Sequence, residues 1–144
     1  MPVLQKLMAC APGMRFASEI TRHELRYGCA LLPPGNPMWQ RIEAEVLPRC
    51  DWQPVDADVC IQAADLGAAG KTINLADLFI AATALAHDLI VVTRHVRHFD
   101  RIEGLQVENW SGSNRSGGDA HPALAAPGSP PCRLRLQRYL LAFY

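Results

Sequence analysis

No run of residues in this 144-residue chain approaches the roughly 18 consecutive apolar positions that a membrane-spanning helix needs. The first residues carry Lys6 but no sustained apolar stretch behind it, so a secretory leader is not expected either. An excess of charge is also missing. Fourteen basic residues balance fourteen acidic ones, which excludes a global field that would announce nucleic acid or a membrane surface and leaves only a local patch to do so. Cysteine is sparse and irregular: Cys10, Cys29, Cys50, Cys60 and Cys132 are an odd number with no CxxC pair. That pattern argues against a disulfide frame or a zinc site and for reduced thiols, with a cytoplasmic protein as the expectation and no membrane partner. What the chain does have is 49% apolar residues, enough at this length to bury one core.

Periodicity divides the chain into alternating helices and strands. Val3, Leu4, Leu7 and Met8 fall at helical spacing before Pro12-Gly13 stops them, and Met14 to Ser18 alternates as a strand. Thr21 with Glu24 three residues later has capping-box spacing for a helix over Arg22 to Leu31. A further helix spans about Met38 to Leu47, Cys50 to Val55 is extended, and Asp56 is placed to cap a helix from Ala57 to about Ala69. Leu75 to His87 then forms a helix with Asp77 at its entrance. Leu89 to Val92 is a β-branched apolar run too short for a helix, and Thr93 closes that strand. A basic loop, Arg94 to Arg101, leads to a short alternating strand at Leu105 to Glu108. This alternation predicts a parallel or mixed sheet covered by helices.

Composition changes after Trp110. Twelve of the 21 residues from Ser111 to Pro131 are Gly, Pro or Ser, which predicts a disordered segment. The last 13 residues set Arg133, Arg135 and Arg138 among four leucines. They read as an unstructured tail or, alternatively, as a basic amphipathic helix.

Ligands gather where strands end and helices begin in open parallel sheets, so Asp77 and the Thr93 to Asp100 loop are the first candidates for a site. Spacing alone equally allows Asp77 and Glu24 to be first-turn carboxylates that favour the helix dipole.

Three stretches decide between these readings: ITRHELRYG at Ile20 to Gly28, ADLFIAATALAHDLIVVTRHVRHFD at Ala76 to Asp100, and GLQVENW at Gly104 to Trp110. Together they resemble the PIN-domain toxins of the VapC type, and ELRYGCALLPPG at Glu24 to Gly35 is similar to the FitB branch of the same group. The resemblance runs over about residues 3 to 110. It implies an α/β, PIN-like fold with a central, mostly parallel sheet flanked by helices over residues 1–110, followed by a disordered C-terminal tail over 111–144. It also implies a Mg2+- or Mn2+-dependent endoribonuclease, the toxin of a toxin–antitoxin pair, with RNA as substrate, a cognate antitoxin as partner and a homodimer as assembly.

On this resemblance Glu24 and Asp77 match the family's second and third acids and would be catalytic metal ligands. Thr93 matches the hydroxyl residue after the next strand, which orients a bound water or a carboxylate. Asp100 is the nearest substitute for a further acid, while Arg94, Arg97 and Arg101 would meet RNA phosphates. The chemistry is coherent, because hard divalent cations take oxygen ligands and a metal both activates water and stabilises phosphate charge.

The chain departs from the family's pattern in three places, one of them a contraction between Asp56 and Gly70 where the family usually has a longer helix. Members begin with a central strand ending in a motif like LLDTN, whose aspartate is the first metal ligand, and no such strand precedes the first helix here. The acid that often stands before the phenylalanine is His98, which with His95 could share a metal if the loop is helical. The sequence-level expectation is therefore a truncated, mis-started or decayed copy. In it two neighbouring strands lack their hydrogen-bond partner. The alternative function is a catalytically defective fragment that keeps only dimer or antitoxin contacts. Leu25, Tyr27, Leu31 and Leu32 lie where such contacts, or simple core packing, would use them.

Overall fold

In the computed structural model, residues 2–70, 73–111 and 138–142 are described. Helix α1 (Pro2–Ala9) ends before a Gly13-centred turn that feeds strand β1 (Arg15–Ser18). Ser18 is the hinge between strand and helix. Its backbone is extended, and its hydroxyl accepts from Ile20 N at 3.1 Å, so helix α2 (Glu19–Ala30) starts there. The expected cap at Thr21 is corrected accordingly: Thr21 is a fully buried residue inside the helix, and Glu24 sits in the helix middle instead of closing a capping box.

Helix α3 (Met38–Glu45) and a single 3-10 turn (Leu47–Arg49) lead to strand β2 (Asp51–Gln53). Asp56 caps helix α4 (Ala57–Ala68) as expected, accepting from Val59 N at 3.0 Å. Asn74 caps helix α5 (Leu75–His87), which ends at Asp88 in the left-handed region (φ 53°), a conformation that aspartate tolerates better than most residues. Strands β3 (Ile90–Val92) and β4 (Val107–Glu108) follow, the second shorter than the Leu105 to Glu108 run.

The last described element is strand β5 (Tyr139–Leu141). It overturns the reading of the C-terminal residues as a tail or helix for 138–142; the rest of that segment, with Arg133 and Arg135, lies outside the described residues. The sheet is parallel throughout, in the order β2-β1-β5-β3-β4. Leu140 pairs with Phe16 on one side and Val91 on the other. The expected gap beside β1 and β3 is thus filled, from the far end of the sequence.

Burial explains why this segment is a strand. Leu140 and Leu141 point to opposite faces, as successive strand residues must, and both are buried. Leu140 joins the main core with Phe16, Val59, Ile80, Val91 and Phe99 under α4 and α5. Leu141 joins Val92 and Trp110 on the other face, against Leu7, Cys10 and Cys50. Each leucine contributes about 1.5–3 kcal/mol by leaving water, and only a strand sends two successive side chains to opposite faces.

Candidate functional site

The sequence Asn74-Leu75-Ala76-Asp77 builds the site's central acid. The Asn74 side chain accepts from Asp77 N at 2.9 Å, and its amide donates to Asp77 Oδ2 at 2.9 Å. The cap and the carboxylate therefore fix each other, in the first turn where a negative charge favours the helix dipole. Asp77 is only 2% exposed, although a first-turn carboxylate with a purely local role is ordinarily solvated. It opens onto a cavity of about 440 Å³ lined by Ile73, Asn74, Arg97, His98, Asp100 and Arg101.

The basic loop closes this cavity. Val96–His98 is a 3-10 turn, held in place by the buried Phe99 and Ile102. It brings His98 Nδ1 to 2.9 Å from Asp77 Oδ2, with the imidazole half-exposed. His95 stacks on His98 with ring centroids 5.2 Å apart and planes at 17°. The imidazoles lie face to face, with His98 aimed at Asp77, an arrangement unlike two ligands converging on one ion.

Of the residues singled out in the sequence, Asp77, Asp100, Arg97 and Arg101 meet at the cavity, while Glu24, Thr93 and Arg94 are outside its lining. Thr93 is buried at the end of β3, where its hydroxyl accepts from His95 N at 3.0 Å and so shapes the start of the loop. Glu24 projects from the middle of α2 with its Oε2 atom shielded from solvent. Arg94 is exposed on the loop.

A position absent from the sequence reading completes the edge. Ala142 follows β5, and its N–H donates to Val92 O at 3.0 Å, which sets it between the ends of β1 and β3, near Ser18 and Thr93. By strand alternation it shares the α5 side with Leu140, and it packs against the main core. Its methyl group offers no ligand. Only strand pairing, which sequence does not print, could have marked this residue.

Among the described residues no group of three or more His, Cys, Asp and Glu side chains converges in a way that would hold a metal ion by itself. The two cavity carboxylates suit a different habit. Mg2+ commonly keeps several waters and is held through one or two carboxylates plus substrate phosphate oxygens. Asp77 and Asp100 are the two carboxylates that line the cavity and so the residues that would hold such a cation.

On the far face, burial pushes the Cys50 thiol up from 9.0 to about 11 and raises Cys10 as well, with Arg15 partly opposing both. Tyr139 is raised by burial and then by Glu108. None of the three belongs to the Asp77 cavity.

A parallel sheet with helices on its faces and a buried acid lining a cavity beside it defines an α/β protein. More narrowly, the chain belongs to the PIN domain family, whose model matches residues 3–105. It is 41% identical over 103 residues to VapC ribonuclease Y4jK of Sinorhizobium fredii, a match covering 65% of this chain and 73% of that protein. It is 40% identical over 105 residues to the tRNA(fMet)-specific endonuclease VapC of Shigella flexneri, covering 69% and 77%. Among solved structures, FitAcB of Neisseria gonorrhoeae matches with a TM-score of 0.66 at 34% identity, over 75% of this chain and 84% of that one. FitAB bound to a DNA fragment gives 0.67 at 30%, over 83% and 87%. The VapC and FitB resemblance and the α/β parallel-sheet fold both hold. No helix among the described residues is long and apolar enough to cross a membrane.

Proposed function

We propose that this chain is the toxin of a toxin–antitoxin pair and hydrolyses RNA phosphodiester bonds at the Asp77 cavity with Mg2+ or Mn2+. The supporting observation is a buried carboxylate that nevertheless opens on a cavity whose lining includes Arg97 and Arg101. Asp77 and Asp100 would hold the cation, with Glu24 contributing from α2. When bound, the ion supplies activation of a water molecule and charge stabilisation at the phosphate. The guanidinium groups of Arg97 and Arg101 bind and orient the phosphodiester, and each phosphate they neutralise makes affinity fall as salt rises. Asn74 holds Asp77 in place, and Thr93 sets the course of the loop that carries the arginines.

The antitoxin would cover the apolar surface of α2 and the start of α3, where Tyr27, Leu31 and Met38 are exposed at 61%, 70% and 41%. A homodimer and a cytoplasmic site of action belong to the same proposal.

A second reading, a catalytically defective family member that keeps only its protein contacts, draws on Ala142 at the end of the central strand and on His98 against Asp77. Cleavage of a single-stranded RNA with and without Mn2+, by the chain and by Asp77→Asn, separates the two. The nuclease reading expects cation-dependent cleavage that falls in the variant by more than the roughly 10–100-fold that loss of an outer-shell partner costs. Equal rates in both proteins would remove Asp77 from the site. No cleavage by either, with antitoxin binding intact, establishes the second reading.

A further inference from the structure

Strand β5 is the only described strand that joins the two halves of the sheet. On one side lies β1 with β2, on the other β3 with β4, and β1 and β3 pair with β5 but not with each other. The join runs over three register pairs on each side, Arg15 to Ala17 on one and Ile90 to Val92 on the other, with further bonds at its ends. Tyr139 N donates to Met14 O at 2.9 Å, Arg138 O accepts from Ile90 N at 2.9 Å, and Ala142 N donates to Val92 O at 3.0 Å. Leu140 and Leu141 fill one pocket on each face, and the Arg138 guanidinium lies 4.6 Å from the centre of the Phe16 ring. Every described contact that fixes the segment comes from residues 138–142, and the nearest described residue before them is Ser111.

We propose that the cleft between β1 and β3 is a strand-acceptor site, with residues 138–142 as its occupant, and that occupancy does not require the covalent tie. The recognition is that of an extended peptide entering a sheet as a parallel strand. Main-chain hydrogen bonds on both sides give affinity, and the two alternating leucine pockets give register and specificity. The covalent connection to the rest of the chain raises the segment's local concentration, taken as on the order of millimolar, so that the chain's own segment outcompetes any other copy. Completion of the sheet also brings Ser18 and Thr93 to the two sides of Ala142, so the same docking event assembles the edge of the sheet beside the site.

The full chain, carrying a protease site placed between residues 112 and 137, is folded and then cut. A fluorescent peptide of sequence Arg138 to Tyr144 is titrated into cut and uncut protein, with anisotropy and thermal unfolding as readouts. The cut protein is expected to bind the peptide saturably, to show a thermal midpoint that rises with peptide concentration, and to prefer it at least about tenfold over the Leu140→Asp peptide, as loss of one buried leucine implies. The uncut protein is expected to bind neither peptide. Equal binding to cut and uncut protein would place the peptide elsewhere and overturn the proposal. So would a cut chain that loses its fragment on gel filtration yet keeps the uncut thermal midpoint. A cut chain that unfolds and is not restored by about 1 mM peptide, the effective concentration of the tie, overturns it as well.

Discussion

Strands β3 and β5 lie side by side in the middle of one parallel sheet, both buried on both faces, yet they reach that position by different routes. β3 is delivered by its immediate neighbour: α5 stops at the left-handed Asp88, Leu89 N donates to Ala84 O at 2.8 Å, and the chain runs directly into Ile90. β5 has no described neighbour directly before it in sequence, and its described contacts are with its partners in the sheet. The difference continues at their carboxyl ends. β3 leads to Thr93, a buried hydroxyl engaged with the site loop, whereas β5 leads to Ala142, a methyl group. A central position in a sheet therefore needs two-sided pairing and two-faced burial, and a polar end is a separate property that one strand has and the other lacks.

The largest expected effect breaks the sheet at β5. Leu140→Ala should cost about 2–5 kcal/mol, because the side chain is fully buried and its cavity cannot collapse between two paired strands. Urea unfolding measures this, and a loss below 0.5 kcal/mol, the scatter typical of surface sites, would show that β5 is peripheral. The next effect sharpens the contrast between Thr93 and Ala142. Ala142→Asp adds a carboxylate on the α5 side of the central strand, and calorimetric titration should find Mn2+ bound more tightly by on the order of tenfold, through the added ligand charge. Ala142→Asn supplies similar bulk without the charge; an equal gain there would refute the electrostatic account.

A smaller effect tests the locally built half of the site. Asn74→Ala removes the α5 cap and one partner of Asp77, and should cost about 1 kcal/mol in unfolding experiments, with Asn74→Asp recovering most of it. The mildest test concerns the face behind β5. With its pKa raised to about 11, the Cys50 thiol is favoured by the fold, a contribution fully present below pH 9 and lost as pH rises from 9 to about 11. Alkylation at pH 8, mapped by mass spectrometry, should therefore label the exposed Cys60 well before Cys50. Matching rates would mean that the packing of Cys50 against the Leu141 cluster is loose.

The legible parts of this protein are those whose cause is local. Leu89 to Val92 announces a buried strand because β-branched apolar residues fill a short run, and Asn74 to Asp77 announces a helix entrance because capping acts over three residues. Tyr139 to Leu141 is illegible by the same measure. Its leucines, spaced among arginines, fit a helix as well as a strand, and only the slot between β1 and β3 selects one. The Thr21 cap failed for a related reason, since Ser18 at the end of β1 captures the helix start three residues earlier. The cavity shows the same division, in that Asp77, Arg97 and Arg101, singled out in the sequence, line it and Arg94 does not, while the contact with His98 spans 21 residues and depends on how the loop folds back.

By itself, then, the sequence determined the alternation of helices and strands, the family and the identity of the buried acid, because each follows from periodicity, capping or motif within short segments. The tertiary structure alone decided which segment completes the sheet, where Ala142 stands and what touches Asp77. Those are pairings between distant residues, set by the arrangement that gives the backbones of β1 and β3 a hydrogen-bond partner and takes Leu140 and Leu141 out of water.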